Sequence, residues 1–180
     1  MSPNPRRLLP GPATGSIQTR RAALERILRA VLPARPASWG SVTFSATLAF
    51  FALALIAILQ EAVGNVPLVG ALGGSAIIAF GVPESSMARA RSLFGGHAVA
   101  CSVGMAVTSI LPESSWVGAL GVGCALGLMQ LTATTHSPAG ADPLLIAVTH
   151  GAWARPMIVL FAGLAIISLL AQLRGAVSNH

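Results

Sequence analysis

Four long apolar stretches without a formal charge constrain this chain more than any other feature. Each has close to the roughly 20 apolar residues that a helix needs to cross the hydrocarbon core of a bilayer. The four stretches are Ser41–Gln60, Leu93–Leu111, Ser115–Thr134 and Pro156–Leu173. Two shorter stretches that contain glycine are weaker candidates, and they are Gly64–Val82 and Pro138–Ala152. Because 54% of the residues are apolar and only 9% are charged, the sequence predicts an all-α, polytopic membrane protein.

The basic residues are gathered toward the N-terminal end. Seven of the eleven arginines precede Ser41, and the chain has no lysine. A basic arm beside a membrane segment is typical of a cytoplasmic region that contacts anionic lipid, so we predict no nucleic-acid partner. Residues 1–37 are predicted to form this arm, with Ile17–Leu32 either an interfacial amphipathic helix or a solvated segment. Residues 38–180 are predicted to form a transmembrane domain in the inner membrane of a bacterium.

The order of the six stretches predicts an internal repeat. If the N-terminus is inside and every stretch crosses, ten arginines lie inside and only Arg155 lies outside, which favours six crossings. Each half then contains a long helix, a short or broken helix and a long helix, over residues 41–111 and 115–173. Because each half crosses three times, the second repeat is inverted relative to the first. The alternative is four full transmembrane helices plus two re-entrant half-helices.

The two short middle segments match in sequence. Gly73–Ile78 (GGSAII) aligns with Gly140–Leu145 (GADPLL), so that Ser75 corresponds to Asp142. Interrupted segments at matching positions of two inverted halves indicate the substrate site of a transporter near the bilayer midplane. At each break, free backbone N–H groups and the positive end of a helix dipole are predicted to bind an anion. The predicted binding residues are Gly73, Gly74, Ser75, His136, Ser137, Pro138, Gly140, Ala141 and Asp142.

Several polar side chains have two interpretations. His136 either caps the last carbonyl groups of the helix before it or lines the pathway and takes up a proton. Asp142 is either the N-cap of the helix that follows or a carboxylate that takes part in proton coupling. His97, Arg89 and Arg91 are predicted to gate the pathway or to compensate charge, and for His97 a structural role is the alternative.

Two blocks of sequence resemble a known family. THSPAGADPLL, at residues 135–145, resembles the signature of the HPP family of small integral membrane proteins, which is named for a His-Pro-Pro motif followed by small residues. GALGGSAIIAFGVPESSMARARSLFGGH, at residues 70–97, is similar to the Gly/Ala/Ser-rich segment, the loop and the Gly-Gly-His helix start of that family. This chain departs from the family pattern by having Ser137 in place of the middle proline, and Ser86, Arg89 and Ala90 where the family favours proline, glutamine and proline.

The resemblance, which covers most of the chain after residue 38, implies a function as well as a fold. The family is described as having four membrane-spanning helices, and some plastid and cyanobacterial relatives are implicated in nitrite transport. The resemblance therefore implies a transporter or channel for a small inorganic anion, with nitrite as the first candidate. A structural protein that packs with partner helices is the alternative. A membrane enzyme built on His97, His136 and Asp142 would need those side chains together, and their scattered positions in the sequence argue against it.

No motif in the sequence indicates a bound cofactor. The chain contains neither a CxxC nor an HExxH spacing, so we predict no metal site and no cofactor. Because the candidate polar residues are scattered in the sequence, we also predict no enzyme activity. The predicted partners are the anion, the lipid bilayer and further copies of the chain, because six short segments enclose little interior on their own.

Overall fold

The structure, a computed structural model, describes residues 19–25, 38–63, 69–112, 114–148 and 153–178. The chain forms two compact units, Met1–Ser38 and Trp39–His180. In the first unit, residues 19–25 are helical (α1) and exposed. The rest of the predicted amphipathic segment Ile17–Leu32 lies outside the described residues.

The second unit is built from helices, and the residues described in it contain no strand. The α-helices are α2 Trp39–Val63, α3 Val69–Gly81, α4 Ala90–Ile110, α5 Ser115–Leu131, α6 Asp142–Ile146 and α7 Ala154–Ser178. Two short 3-10 helices, Ser86–Ala88 and Ser137–Ala141, precede α4 and α6. Three of the helices, α2, α4 and α7, are long and apolar enough to cross a membrane. The all-α, polytopic class predicted from hydropathy is therefore confirmed.

The long–short–long order recurs in both halves, but the two short elements differ from each other. α3 is a continuous helix of 13 residues, so the predicted break at Gly73–Ser75 is wrong. In the second half the break is real, because the described residues between α5 and α7 are helical only in Ser137–Ala141 and α6. These two pieces together rise about 17 Å against a hydrocarbon core of about 30 Å, so their length fits the re-entrant alternative better than a full crossing.

Helix packing divides the membrane unit into two groups of three. α2, α3 and α7 pack against one another, and we call them the α3 group; α4, α5 and α6 do the same, and we call them the α6 group. Each group holds the first two elements of one half of the sequence and the last helix of the other half. A two-fold repeat produces this reciprocal exchange, because every contact in one group has its equivalent in the other.

The α3 group is held together by large apolar side chains. Its core includes Ile56, Leu72, Phe80, Leu160 and Leu164. Each of these residues is 1% exposed or less, so the group buries a continuous hydrophobic cluster of the kind that stabilises a helix bundle.

The α6 group is packed through glycine instead. A Cβ on Gly104 of α4 would lie 2.9 Å from Pro143 Cα, and one on Gly121 of α5 would lie 2.8 Å from Pro143 Cβ. A side chain at either position would displace Pro143, so the backbone of α6 lies directly against both long helices. This close contact places Asp142, the first residue of α6, beside α4.

Candidate functional site

The turn after α5 directs the chain back into the protein. The N–H groups of Ala133 and Thr134 donate to the carbonyl oxygens of Gln130 and Met129 at 3.2 and 2.9 Å. This is the Schellman arrangement, with Ala133 in the left-handed region at φ 53°, where glycine is usual. The polar residues that follow therefore turn inward instead of continuing out into water.

Two adjacent glycines of α4 make room for this segment. A Cβ on Gly96 would lie 2.6 Å from His136 Cβ and 2.9 Å from the Thr134 carbonyl oxygen. A Cβ on Gly95 would lie 2.6 Å from Thr134 Cγ2. Because a real Cβ does not approach heavy atoms so closely, glycine is what lets His136 enter the interior at this place.

Four polar side chains from separate parts of the chain meet in the interior. They are Ser75 on α3, His97 on α4, His136 before the second 3-10 helix, and Asp142 on α6. Ser75 Oγ lies 3.0 Å from His97 Nε2 and 3.0 Å from His136 Nε2. On the other side of its imidazole, His97 Nδ1 lies 2.7 Å from Asp142 Oδ2. All four residues have 0% exposure, and we call them the buried polar chain.

The two ends of the buried polar chain have different partners. At one end, His136 Nδ1 lies 2.9 Å from the carbonyl oxygen of Met87. At the other end, the Cys101 thiol donates to Asp142 Oδ2 at 3.4 Å. Asp142 Oδ1 is buried and has no hydrogen-bond partner in the described part of the chain. Because an ionised carboxylate is costly in such surroundings unless it is paired, the contact with His97 is what stabilises Asp142 here.

This geometry corrects two interpretations made from sequence. Asp142 is not the N-cap of α6, because that position belongs to Ala141 and no side chain makes a capping hydrogen bond there. His136 does not cap α5, because its two ring nitrogens contact Ser75 and Met87. Both side chains belong to the buried polar chain, and neither is engaged at a helix end.

The structure also brings together the residues that their sequence positions had separated. The rings of His97 and His136 have centroids 5.2 Å apart, and Asp142, His97 and Ser75 stand in the order of a hydrolase triad. The argument from scattered positions is therefore wrong. However, the Ser75 hydroxyl is enclosed by the two imidazoles and by the Ala71 carbonyl oxygen at 2.9 Å, so a substrate carbonyl cannot reach it in this conformation.

Among the described residues, no three His, Cys, Asp or Glu side chains are placed to hold a metal ion.

The other predicted binding residues lie where the two short middle elements meet. Gly73 and Gly74 are inside α3, where the helix uses their N–H groups. A Cβ on Gly74 would lie 3.1 Å from Pro138 Cβ, so the 3-10 helix packs closely on α3. The remaining members all belong to that 3-10 helix, and they are Ser137, Gly140 and Ala141. The two middle elements therefore touch, but they do not present two free helix N-termini to one anion.

A cleft of about 360 Å³ borders the His136 end of the buried polar chain. Its lining consists of Ser86, Arg89, Arg91, Ser92, Ala133 and Thr135. Ser86 and Thr135 are the direct sequence neighbours of Met87 and His136. The cleft therefore lies next to the hydrogen bond between His136 and Met87, at one end of the buried polar chain.

The cleft carries positive charge from two sources. Arg89 and Arg91 were predicted to compensate charge, and the structure places both in this cleft. The Arg91 guanidinium donates to the Thr132 carbonyl oxygen at 2.8 Å, which fixes it beside the turn after α5. α4 also begins here, and its N-cap residue Arg89 makes no side-chain capping hydrogen bond. Arginine side chains and an uncapped helix N-terminus both favour an anion.

Sequence reasoning missed two members of the site. Cys101 lies one helical turn after His97 on α4, and this spacing of four residues places both side chains on one face of the helix. That spacing is a signal from which the Cys101 contact could have been found. The Met87 carbonyl is a backbone group in a loop, and the sequence carries no signal for it.

Comparison with known proteins identifies the relatives of the chain. The profile of a family described as "HPP, transmembrane region" matches residues 34–180. A transmembrane protein of Dictyostelium discoideum is 37% identical over 82 residues, which cover 43% of this chain and 29% of that protein. A second transmembrane protein of the same organism is 30% identical over 117 residues, which cover 63% of this chain and 38% of that protein. The chain thus spans about a third of the length of these curated relatives, and no solved structure matches it.

Proposed function

Because the chain belongs to the HPP family of integral membrane proteins, we propose that it is a secondary transporter or channel for a small inorganic anion. The observation that carries this proposal is the buried polar chain, in which Ser75 of the α3 group bonds to histidines packed with the α6 group. Nitrite is the first ion to test, since the resemblance of the two sequence blocks implies it. We place the protein in the inner membrane of a bacterium with its N-terminus in the cytoplasm, and we expect it to form homo-oligomers.

The cost of burying ionisable side chains supports a functional role. His97, His136 and Asp142 are fully buried within the membrane unit, and none of their side chains makes a capping hydrogen bond at a helix end. Replacing a buried ion pair by apolar residues of similar size is often neutral or stabilising, so packing alone gives no reason to keep these groups. Ionisable groups inside membrane domains are typical of ion and proton pathways.

The arginine-lined cleft supports an anion as the substrate. It offers two guanidinium groups, the hydroxyls of Ser86, Ser92 and Thr135, and the N-terminus of α4. These are donors, and a small oxyanion is an acceptor at every oxygen. We therefore place the first binding site in this cleft and no longer at Gly73–Ser75, whose N–H groups are used inside α3.

The two helix groups provide a way to alternate access. In the structure, the buried polar chain is closed, since all four side chains have 0% exposure. We expect the α3 group to rock against the α6 group and to break the hydrogen bonds of Ser75 as it moves, as in transporters built from inverted repeats. An anion from the cleft would then pass His136, whose imidazolium form compensates its charge.

Reconstituted protein tests the proposal directly. Uptake of labelled nitrite into proteoliposomes is measured with nitrate, formate, bicarbonate and chloride as competitors. Gly74→Leu drives a side chain against Pro138 at the contact between the middle elements and should abolish uptake. Gly123→Leu is the matched control, because a Cβ on Gly123 meets no atom within 4 Å, and it should transport like the wild type.

Each outcome decides between transport and a structural role. Saturable uptake that competitors reduce, that Gly74→Leu abolishes and that Gly123→Leu retains supports the transport proposal and ranks the anions. No flux of any anion above that of protein-free vesicles, from protein shown to be folded, would reject it. The alternative would then be a structural protein that acts by packing with partner helices.

A further inference from the structure

We propose that Ser75 relays a proton between His97 and His136, so that the anion moves together with a proton. This inference rests on the proposed transport function, which it deepens by naming the coupled ion and the residue that transfers it. The contacts of the buried polar chain require a definite number of hydrogens, and this number determines how a proton can move.

Two contacts determine where hydrogens must lie. The Met87 carbonyl oxygen can only accept, so His136 Nδ1 carries a hydrogen and donates it over 2.9 Å. Asp142 Oδ2 and His97 Nδ1 are 2.7 Å apart and share one hydrogen, which lies on the imidazole when the carboxylate is ionised. With both imidazoles neutral in that state, the two Nε2 atoms are both acceptors.

Both of these acceptors face the same hydroxyl. Ser75 Oγ is 3.0 Å from His97 Nε2 and 3.0 Å from His136 Nε2, but it carries a single hydrogen. One of the two contacts would then join two acceptors in a fully buried place, where an unmade hydrogen bond costs about 1–3 kcal/mol. The observed geometry is therefore not compatible with an ionised Asp142 and two neutral histidines.

One additional proton removes the conflict in two equivalent ways. If His97 is charged, its Nε2 donates to Ser75 Oγ, and the hydroxyl donates to His136 Nε2. If His136 is charged, its Nε2 donates to Ser75 Oγ, and the hydroxyl donates to His97 Nε2. Both arrangements satisfy the two imidazole contacts of Ser75 Oγ, and in both a single positive charge balances the Asp142 carboxylate. The hydroxyl then does not donate to the Ala71 carbonyl oxygen at 2.9 Å, which keeps the backbone N–H of Ser75 as its donor inside α3.

A second additional proton is disfavoured by charge. Both imidazoles would then be positive with ring centroids 5.2 Å apart, while Asp142 supplies one compensating charge. Among the residues that the structure describes, the other titratable group that contacts the buried polar chain is Cys101, which donates to Asp142 as a thiol and adds no charge. The buried polar chain therefore holds one mobile proton, which has two places to reside.

The transfer between these two places is balanced in bonds and charge. The Nε2–H bond of His97 breaks as its proton bonds to Ser75 Oγ, while the O–H bond of Ser75 breaks as its proton bonds to His136 Nε2. Ser75 is a neutral hydroxyl before and after the step, and no other reactant is required. The positive charge has moved from His97, on the Asp142 side of the buried polar chain, to His136, on the side that borders the cleft.

The charges around His136 couple this step to the anion. Arg89 and Arg91 line the adjacent cleft, and their positive charges disfavour a charged His136 while the cleft is empty. An anion in the cleft offsets them and favours the arrangement in which the proton resides on His136. Occupancy of the cleft and transfer through Ser75 therefore promote each other.

The test compares net uptake with exchange in the same vesicles. Net nitrite uptake driven by a pH gradient needs a proton to move, whereas exchange of labelled for unlabelled nitrite needs no net proton movement. In Ser75→Ala, we expect net uptake to slow by about 100-fold and by much more than exchange, because net uptake alone needs the missing relay hydroxyl. Ser75→Thr keeps a hydroxyl and should restore net uptake. Flux through protein-free vesicles is subtracted, because nitrous acid crosses lipid.

Three results would overturn the relay. Unchanged net uptake in Ser75→Ala would do so, and so would an equal loss of exchange and net uptake in folded Ser75→Ala. If Ser75→Thr does not fold, wild-type protein in heavy water replaces it: the relay predicts that net uptake slows more than exchange, and equal slowing would contradict it. Wild-type protein that shows neither net uptake nor exchange would instead reject the transport function on which the relay rests.

Discussion

Ser75 and Asp142, which correspond in the aligned middle segments of the two halves, contact opposite nitrogens of a single imidazole. Ser75 Oγ lies 3.0 Å from His97 Nε2, and Asp142 Oδ2 lies 2.7 Å from His97 Nδ1. His97 is on α4, the helix that the first half contributes to the α6 group. The movement that we propose, of the α3 group against the α6 group, would therefore change the hydrogen bonding of His97 on its Ser75 side and would link conformation to protonation.

Replacing the buried carboxylate should remove the pH dependence of transport. Asp142→Asn keeps an oxygen that can accept from His97 but no longer balances a positive charge. We therefore expect the buried polar chain to lose its mobile proton. Wild-type uptake should be faster at about pH 6 than at about pH 8, because the lower pH supplies more protons to a step that carries a proton with the anion. Uptake by Asp142→Asn should be at least about tenfold slower than uptake by the wild type, and its rate should be similar at the two pH values.

Glu84→Gln provides the control for this change. It removes one negative charge from an exposed position in the loop before α4 and should leave the pH profile unchanged. An unchanged profile in Asp142→Asn, measured on folded protein, would exclude Asp142 from proton coupling.

Removing one arginine of the cleft should weaken anion binding. Arg91→Gln loses a positive charge and the guanidinium that donates to the Thr132 carbonyl oxygen. We expect the nitrite concentration for half-maximal uptake to rise about tenfold, which corresponds to about 1.4 kcal/mol. Arg155→Gln is the control, because Arg155 is exposed at the start of α7 and does not line the cleft. An equal effect of both substitutions on the concentration dependence would argue against binding in the cleft.

Filling the space beside His136 should destabilise the protein. Gly96→Ala places a Cβ 2.6 Å from His136 Cβ, and crowding of this kind costs about 1–3 kcal/mol. Gly123→Ala is a matched control on the open face of α5, where alanine is favoured over glycine by about 1 kcal/mol. Thermal unfolding in detergent, followed by tryptophan fluorescence, should show a lower Tm only for Gly96→Ala. If the Tm of Gly96→Ala equals that of the wild type, the His136 segment does not lie against α4 as described.

Glycine should be tolerated at position 133, in the turn after α5. Ala133 has φ 53°, a conformation that costs a residue with a Cβ about 1–2 kcal/mol. Ala133→Gly should therefore maintain or raise the Tm, whereas Ala133→Val, with a branched side chain, should lower it. The same fluorescence measurement checks both variants, and a clear loss of stability in Ala133→Gly would contradict the left-handed conformation.

Hydropathy and spacing predicted the helices but not how they meet. The long helices were identified because continuous apolar character is a local property of the sequence. α3 was predicted to break at Gly73 and Gly74, but it runs through them, since neighbouring helices override the weak helix propensity of glycine. Here the glycines serve close packing, as Gly74 does against Pro138.

The site was predicted as a set of residues but not as a network. Ser75, His97, His136 and Asp142 were all singled out, because polar groups in an apolar chain need an explanation. Their partners depend on tertiary contacts between positions 22 to 61 residues apart, and no local rule determines those contacts. For the same reason Asp142 and His136 were given plausible capping roles that the fold does not use.

The measurement that tests this account most directly follows nitrite and protons in the same vesicles. A dye inside the proteoliposomes reports luminal pH while labelled nitrite uptake is recorded. We predict that saturable nitrite entry acidifies the lumen in proportion to the nitrite taken up, and that an acidic exterior increases its accumulation. Saturable nitrite entry that moves no protons and ignores an imposed pH gradient would contradict the account.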